Sequence, residues 1–241
     1  MHENYTCDEF FNGRLKLFQP LEGPRVNLDT ILLSSWVKLH SHDRKIIEAG
    51  CAFGAISLIL AMKFGLKVHV TGLEIQKELA ELAMRNAVMN AITNADFING
   101  DLRDKNIFPR ESFDVLAINP PYESLSRGRL SNSDSRSKAR LELSCTIDDV
   151  GEFAERILRS KGRMFAVFSS DRLDVFMNSM RSHRIIPKRI RFVYSFINRN
   201  SGIFLSECIK NAGEGLTVMP PLIVRDEDHR YTQELLKSYE L

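Results

Sequence analysis

The chain has 241 residues, of which 44% are hydrophobic, and its 33 Lys and Arg nearly balance its 31 Asp and Glu. These values are ordinary for a globular protein with a full core, so only the local distribution of charge can indicate a partner. No apolar run reaches membrane-spanning length, and the four cysteines form neither a C-x-x-C pair nor a zinc-ligand spacing with histidine. We therefore expect free thiols, no metal, no membrane association and a cytoplasmic protein.

The hydrophobic pattern alternates between short apolar runs and longer amphipathic ones. A first helix is predicted at residues 29–39, ahead of the first sheet strand. Strands are then predicted at 45–49, 68–73, 95–98, 113–118 and 163–168, and helices at 54–64, 76–90 and 148–159. Strands that alternate with helices in this way indicate a parallel sheet covered by helices on both faces.

The end of the chain departs from this alternation. Residues 185–196 and 202–210 are predicted strands with no helix of normal length between them, and the turn-rich stretch 198–202 joins them. This pattern predicts an antiparallel hairpin that closes one edge of the sheet. The expected fold is therefore α/β, with a mostly parallel seven-stranded sheet. We expect a single domain over 1–241, with 1–40 as an N-terminal extension and 41–241 as the core.

A glycine-containing turn follows the first strand of the sheet. Glu48, Gly50 and Gly54 fit an acid-x-Gly-x-Gly-x-Gly pattern in which Ala52 takes the middle position. Such a turn lets the backbone approach a ligand closely and directs helix N–H groups at it. The departure is Ala52, because alanine tolerates fewer backbone conformations than glycine.

Acidic residues follow the next two strands. Glu74 ends the second strand, where a carboxylate suits a bidentate contact with ribose hydroxyls. Asp101 follows the third strand, where it could accept a hydrogen bond from an adenine amino group. Because the carboxyl ends of parallel strands form the ligand crevice of open α/β sheets, these positions together predict a nucleoside site.

The fourth strand runs into Asn119, Pro120, Pro121 and Tyr122. An exocyclic amino nitrogen is a poor nucleophile until its lone pair localises, and two hydrogen-bond acceptors placed around its N–H bonds favour that change. The Asn119 amide oxygen and the Pro120 carbonyl can be these acceptors, and proline rigidity holds them in place. Tyr122 offers a ring on which a planar base can stack. The tetrapeptide thus predicts methylation of an amino nitrogen, with these four residues as the catalytic group.

In this context the tetrapeptide resembles class I S-adenosylmethionine-dependent methyltransferases that act on adenine N6, cytosine N4 or glutamine N5. The wider sequence is most similar to the bacterial tRNA(Val) adenine-N6 methyltransferases. Further resembling segments are Gln19-Pro20 and residues 25–33, 138–140, 187–188 and 231–234. The resemblance implies a Rossmann-like class I fold, S-adenosylmethionine as cofactor, and tRNA as substrate. The cofactor-binding residues it implies are Glu48, Gly50, Gly54, Glu74, Asp101 and Asn119.

Two basic stretches are candidates for nucleic-acid contact. The first, residues 124–140, lies directly after the tetrapeptide and holds five basic residues and one acid. The second runs from residue 175 to residue 206, contains no Asp or Glu, and holds Arg181, Arg184, Lys188, Arg189, Arg191 and Arg199. The candidate residues are Arg127, Arg129, Arg136, Lys138 and Arg140 in the first stretch and Lys188, Arg189 and Arg191 in the second.

Other functions remain open at this point. A glutamine N5-methyltransferase would share the tetrapeptide, although such enzymes usually carry a helical domain ahead of the first sheet strand. DNA adenine methylation would need a target-recognition domain that is not visible in the sequence. Ala52 also leaves open a non-catalytic RNA-binding module built on a methyltransferase scaffold.

Overall fold

A computed structural model of the chain describes residues 4–120 and 145–240. Helices cover both faces of a large mixed sheet, and a two-stranded hairpin precedes it. The strands are β1 (Tyr5–Phe10), β2 (Leu15–Pro20), β3 (Lys45–Ala49), β4 (His69–Glu74), β5 (Ala95–Asn99), β6 (Phe113–Ile118), β7 (Leu158–Ser169), β8 (Ile185–Tyr194), β9 (Ile203–Lys210), β10 (Thr217–Val218) and β11 (Leu222–Ile223). The helices are α1 (Leu28–Trp36), α2 (Ala55–Phe64), α3 (Lys77–Met89), α4 (Ile147–Ile157), α5 (Leu173–Ser182) and α6 (Gln233–Lys237).

The sheet has the order β10-β8-β9-β7-β6-β3-β4-β5, and β11 also pairs with β8. All pairs are parallel except those that involve β9, which runs antiparallel to both β7 and β8. The predicted α/β fold with seven long strands is therefore confirmed. The predicted antiparallel hairpin is present as β8 and β9 at this end of the sheet, where β9 lies between β7 and β8. The short strands β10 and β11 then cover the outer side of β8.

Alternating side chains divide the core into two layers. On β6, Val115 and Ala117 pack with the layer that contains α1, α2 and α3. Leu116 and Ile118 face the opposite layer, which contains α4 and α5. All four side chains are fully buried, as expected for a central parallel strand that is covered on both faces. Because the faces of the sheet are covered by apolar side chains, polar side chains of a site can lie together at the edge where the parallel strands end. This edge is called the carboxyl edge below.

The first 40 residues hold more structure than the single predicted helix. Asn27 caps α1 through a reciprocal capping box with Thr30. The hairpin β1–β2 lies against α3, where the side-chain amide of Asn86 bonds both the N–H and the C=O of Phe18 at 2.8 and 3.0 Å. Asn90 repeats this arrangement at Lys16. Helix side chains therefore satisfy the free edge of β2 as a neighbouring strand would.

Two further elements were not expected from the sequence pattern. In the sequence, helix α5 lies between β7 and β8, and it forms the crossover connection between these two parallel strands. The short helix α6 follows β11. All four cysteines are free thiols, as predicted. Within residues 4–120 and 145–240, none of the helices combines the length and apolar character needed to cross a bilayer.

Candidate active site

Strand register brings three predicted site residues to one place. Ala49 of β3 pairs with Leu73 of β4 on one side and with Ile118 of β6 on the other. The residues that follow these positions are Gly50, Glu74 and Asn119, so all three lie side by side at the carboxyl edge. Asn119 is half-buried. The centre of the predicted nucleoside site and the predicted catalytic amide are therefore adjacent.

In the glycine turn, residues 50–54, every second residue has a φ angle in the left-handed region. The φ angles of Gly50, Ala52 and Gly54 are 72°, 47° and 87°. A Cβ on Gly50 would meet nothing within 4 Å, so open space lies above this residue. A Cβ on Gly54 would come within 2.9 Å of Ala83 and Phe97. Ala52 adopts the conformation that glycine favours, at a cost of roughly 1–2 kcal/mol, and the turn keeps its shape.

Glu74 holds this turn from the neighbouring strand. Its Oε2 accepts the Ala52 N–H at 2.8 Å, and its Oε1 accepts the Gln76 N–H at 2.9 Å. The residue is only 5% exposed. An ionised carboxylate oxygen can accept about two hydrogen bonds, so each oxygen keeps capacity for a further donor. Glu74 therefore shapes the turn and can still accept hydrogen bonds from ribose hydroxyls.

Glu48 lies beneath the turn. Its Oε2 accepts hydrogen bonds from the Ser57 N–H at 2.7 Å and from the Ser57 hydroxyl at 2.5 Å, at the first turn of α2. Burial raises the pKa of Glu48 to about 8, although the bonds from Ser57 oppose this shift. The structure thus assigns Glu48 a positioning role under the helix N-terminus, which sequence reasoning missed. Its predicted contact with the cofactor stays a prediction.

Asp101 has an intramolecular partner that the sequence analysis did not anticipate. The Arg103 guanidinium contacts both of its carboxylate oxygens at 2.6–3.0 Å, and the Arg103 N–H bonds Oδ1 at 2.8 Å. These hydrogen bonds hold the pKa of Asp101 below its usual value. The predicted acceptor for an adenine amino group is thus already paired, and Arg103 joins the group of residues at this strand end.

Of the predicted catalytic tetrapeptide, residues 119–122, the structure describes only the first two residues. Pro120 is buried directly after Asn119 at the end of β6. Pro121 and Tyr122 lie outside the described residues, so their catalytic roles stay predictions. The first basic stretch also lies outside them, with Arg127, Arg129, Arg136, Lys138 and Arg140.

The basic residues of β8 contact the C-terminal segment of the chain itself. Lys188 Nζ donates to the carbonyls of Gly213 and Glu214 at 3.2 and 2.8 Å. Arg191 donates to the Pro220 carbonyl at 3.0 Å and to Glu234 at 2.5 Å. These hydrogen bonds connect β8 to the C-terminal segment that contains β10, β11 and α6.

Arg189 is held in the same way. Its guanidinium donates to Glu207 at 2.9 Å and lies 5.0 Å from the ring centroid of Trp36. The absence of acids from this basic stretch favoured RNA contact, but acids from β9 and α6 pair with two of its three candidate side chains, Arg189 and Arg191. Lys188, Arg189 and Arg191 therefore have structural roles here, and their predicted contact with RNA gains no support.

The described residues contain one group that could hold a metal ion. His40, His42 and Asp43 place one potential ligand atom each within 4.8 Å of one another. They lie in the loop between α1 and β3, which is at the opposite edge of the sheet from Asn119. Asp43 also forms a buried ion pair with Arg163. In the described part of the chain, the carboxyl edge contains no comparable group.

The sequence of the chain is similar to those of known proteins. Residues 40–186, more than half of the chain, match the sequence profile of the methyltransferase domain. The chain belongs to this family. The methyltransferase is 28% identical over 217 residues to the tRNA1(Val) (adenine(37)-N6)-methyltransferase of Dickeya chrysanthemi, covering 86% of the chain and 83% of the relative. It is 22% identical over 216 residues to the protein of the same name in Flavobacterium psychrophilum, covering 88% and 89%. The resemblance inferred from the sequence is confirmed.

Solved structures support the fold. The methyltransferase superimposes on a predicted O-methyltransferase from Agrobacterium tumefaciens with a TM-score of 0.69 and 22% identity, covering 88% of the chain and 97% of that protein. A SAM-dependent methyltransferase from Aquifex aeolicus gives a TM-score of 0.51 at 13% identity, covering 69% and 81%. The Rossmann-like class I methyltransferase fold expected from the resemblance is therefore confirmed.

Proposed function

We propose that this methyltransferase transfers a methyl group from S-adenosylmethionine to the exocyclic N6 of an adenine in tRNA. The observation that carries this proposal is the adjacency of Asn119 and Pro120, at the exit of β6, to the glycine turn at the exit of β3. A tRNA substrate also implies that the enzyme works in the cytoplasm.

The residues at the carboxyl edge fit S-adenosylmethionine. The open space above Gly50 lets a ligand approach the backbone, and a side chain there would fill part of it. Glu74 keeps hydrogen-bonding capacity for ribose hydroxyls on both oxygens. Glu48 and Gly54 set the conformation of the turn, and Asp101 lies at the next strand end. The cofactor supplies an electrophilic methyl group on a sulfonium.

The chain's own contribution is to prepare the nucleophile. The Asn119 side-chain oxygen and the Pro120 carbonyl would each accept one N–H of the adenine amino group. This draws the nitrogen lone pair out of conjugation and directs it at the methyl carbon. The new N–C bond forms as the S–C bond breaks, and the surplus N–H proton then leaves to water. No strong base is needed, because the leaving thioether is neutral.

The choice of substrate rests on two supports. The relatives that cover most of the chain are named as methyltransferases of adenine in tRNA. The basic stretch of residues 124–140, directly after the tetrapeptide, offers phosphate contacts beside the target base. A glutamine amide would use the same pair of acceptors, so the target class has to be tested directly.

The test uses methyl-labelled S-adenosylmethionine with purified protein and, in separate reactions, total tRNA, total protein and genomic DNA from cells that lack the enzyme. We expect label in tRNA alone, and digestion to nucleosides should yield N6-methyladenosine. Label recovered as methylglutamine or in DNA would contradict the proposed substrate. Titration calorimetry with S-adenosylmethionine provides the second measurement, since absence of binding together with intact RNA affinity would identify a non-catalytic RNA-binding module.

A further inference from the structure

The two ends of the chain together form a pocket of about 400 Å³. The segment that leads into α1 supplies Asn27 and Leu28, and the segment after β11 supplies Arg225, Tyr231 and Tyr239. Both regions contain segments that carried the family resemblance, residues 25–33 and 231–234. A pocket of this volume is within the range of about 300–1,000 Å³ that holds small molecules and cofactors.

The pocket opens at the carboxyl edge of the sheet. Helix α1 precedes β3 and ends near the opposite edge, so its first residue, Leu28, points back towards the edge where Asn119 lies. Strand β11 is parallel to β8, and β8 is parallel to β7 because β9 runs antiparallel to both. The residues that follow β11 therefore also reach the carboxyl edge. The pocket and the catalytic amide face the same side of the molecule.

Arg225 and Tyr231 are held together before any ligand binds. They form an isolated antiparallel bridge, and the Arg225 guanidinium lies 4.3 Å from the centroid of the Tyr231 ring. Arg225 Nη1 also donates to the His229 carbonyl at 2.6 Å. Asp226 closes the intervening loop by accepting the N–H groups of residues 228 and 230. The planar cation and the ring are thus preorganised as a pair.

The residues that follow Tyr231 bond other parts of the fold rather than its ring. Thr232 caps α6 and bonds the Ile223 carbonyl at 2.6 Å, and Glu234 pairs with Arg191. Tyr231 remains 48% exposed and Tyr239 remains 41% exposed. Burial of part of Tyr239, together with the nearby Tyr231, raises the pKa of Tyr239, which keeps this phenol neutral. Exposed aromatic faces beside an arginine are the surfaces on which unpaired RNA bases stack.

The side of the pocket formed by Arg225 and Tyr231 is too far from Asn119 to stack the adenine that is methylated, because both residues follow β11. From β11 to β6 the sheet takes four strand spacings, or about 19 Å at roughly 4.8 Å each. We propose that the pocket formed by Arg225, Tyr231 and Tyr239 binds a second nucleobase of the RNA substrate, a few nucleotides from the target adenine. Stacking of this base anchors the strand, and the Arg225 charge favours the adjoining phosphates. The inference rests on the proposed function, because it requires an RNA substrate.

The test measures binding of a synthetic anticodon stem-loop of tRNA(Val) to the full-length protein by fluorescence anisotropy. Tyr231→Ala should raise the Kd about 5- to 100-fold, as expected for loss of one base stack, whereas Tyr231→Phe should stay close to wild type. Arg225→Gln should also weaken binding. Its matched control is Arg110→Gln, which removes the same charge from an exposed side chain in the loop before β6, at the opposite edge of the sheet.

A set of stem-loops with one abasic nucleotide each identifies the bound base by a double-mutant cycle. One abasic position should weaken wild-type binding as much as Tyr231→Ala does, and combining the two should add nothing. At saturating RNA, kcat should be unchanged while KM rises. If every abasic position weakens Tyr231→Ala as much as wild type, or if Tyr231→Ala binds normally, the pocket does not hold a base.

These outcomes are distinct from failure of the proposed function. Wild-type protein that methylates tRNA adenine but lacks the coupling overturns only the pocket. Wild-type protein that binds S-adenosylmethionine without binding or methylating RNA overturns both proposals.

Discussion

The two halves of the sheet use acidic and basic side chains in different ways. Around β3 and β4, Glu48 and Glu74 accept backbone N–H groups of the glycine turn and its helix, so the acids form the wall of the site itself. Around β8, Arg189 and Arg191 meet Glu207 and Glu234 and secure the C-terminal segment. The comparison teaches that acids at strand ends can shape a turn through its backbone N–H groups, whereas basic residues within a strand can be paired by acids of the same chain.

The largest effect is expected at the junction of these halves, where β6 ends. Asn119→Ala removes the side-chain acceptor for the amino nitrogen, so transfer should fall by about 10²- to 10³-fold or more. Cofactor affinity should stay close to wild type, because the turn and Glu74 are untouched. A filter assay with labelled cofactor measures the rate, and calorimetry measures the affinity.

Asn106→Ala is the matched control, since Asn106 is an exposed asparagine in the loop after β5. It should leave the rate unchanged. Full turnover by Asn119→Ala would remove this residue from the mechanism and with it the proposed function.

The second effect is a pH dependence of the free energy of unfolding, which the buried Glu48 causes. The pKa of Glu48 is about 8 in the folded protein and ordinary in the unfolded chain, so between roughly pH 4.5 and 8 the folded state binds the extra proton. Stability should therefore decline as the pH rises through this window, by on the order of 3–5 kcal/mol. Glu48→Gln should lose most of this decline, as measured by urea denaturation at intervals of one pH unit.

Glu78→Gln provides the comparison, because Glu78 is exposed in the first turn of α3. Its pH profile should match that of wild type. A Glu48→Gln profile that still declines as steeply would show that other groups cause the dependence.

A smaller effect is expected from the glycine turn. Gly54→Ala should destabilise the fold by about 2 kcal/mol. The alanine would have to adopt the φ of 87° found at this position, and its Cβ would lie 2.9 Å from Phe97 and Ala83. Ala52→Gly changes the same turn in the opposite direction and should stabilise it by at most about 1 kcal/mol. Thermal unfolding of the two variants should bracket wild type, and equal shifts of the same sign would contradict this account of the turn.

The smallest effect is expected at β8. Arg191→Gln should cost about 1 kcal/mol, because a half-exposed ion pair and two carbonyl contacts are lost while the core stays intact. Hydrogen exchange should accelerate in residues 217–237 and stay unchanged in β3 and β4. Uniform acceleration across the sheet would mean that Arg191 supports the whole fold.

The sequence predicted some elements closely and others not at all, for physical reasons. The bounds of β3 and β6 agree with the predicted strands, because both are short apolar runs that end at glycine or proline. Helix α5 begins at Leu173, and its N-cap residue, Arg172, makes no side-chain cap, so the usual start signal is missing. Strand β2 depends on the side chains of Asn86 and Asn90, which approach it only in the folded protein.

The site shows the same division. The positions of Gly50, Glu74 and Asn119 could be predicted, since strand ends in a parallel sheet converge whatever the side chains do. Their partners could not, because nothing in the local pattern indicates that Glu48 bonds Ser57 or that Arg103 covers Asp101. For the same reason, no local pattern indicates that Arg189 and Arg191 pair with acids of their own chain.

Arg156 links the order of synthesis to completion of the site. From α4, its guanidinium donates to four backbone carbonyls of the loop after Asp101, those of Leu102, Asp104, Lys105 and Phe108. A planar fork can serve several carbonyls at once, which a lysine ammonium cannot reproduce. A nascent chain that has emerged only as far as the catalytic tetrapeptide therefore lacks the clamp for this loop. We therefore expect the loop after Asp101 to take its final shape only after α4 has been synthesised.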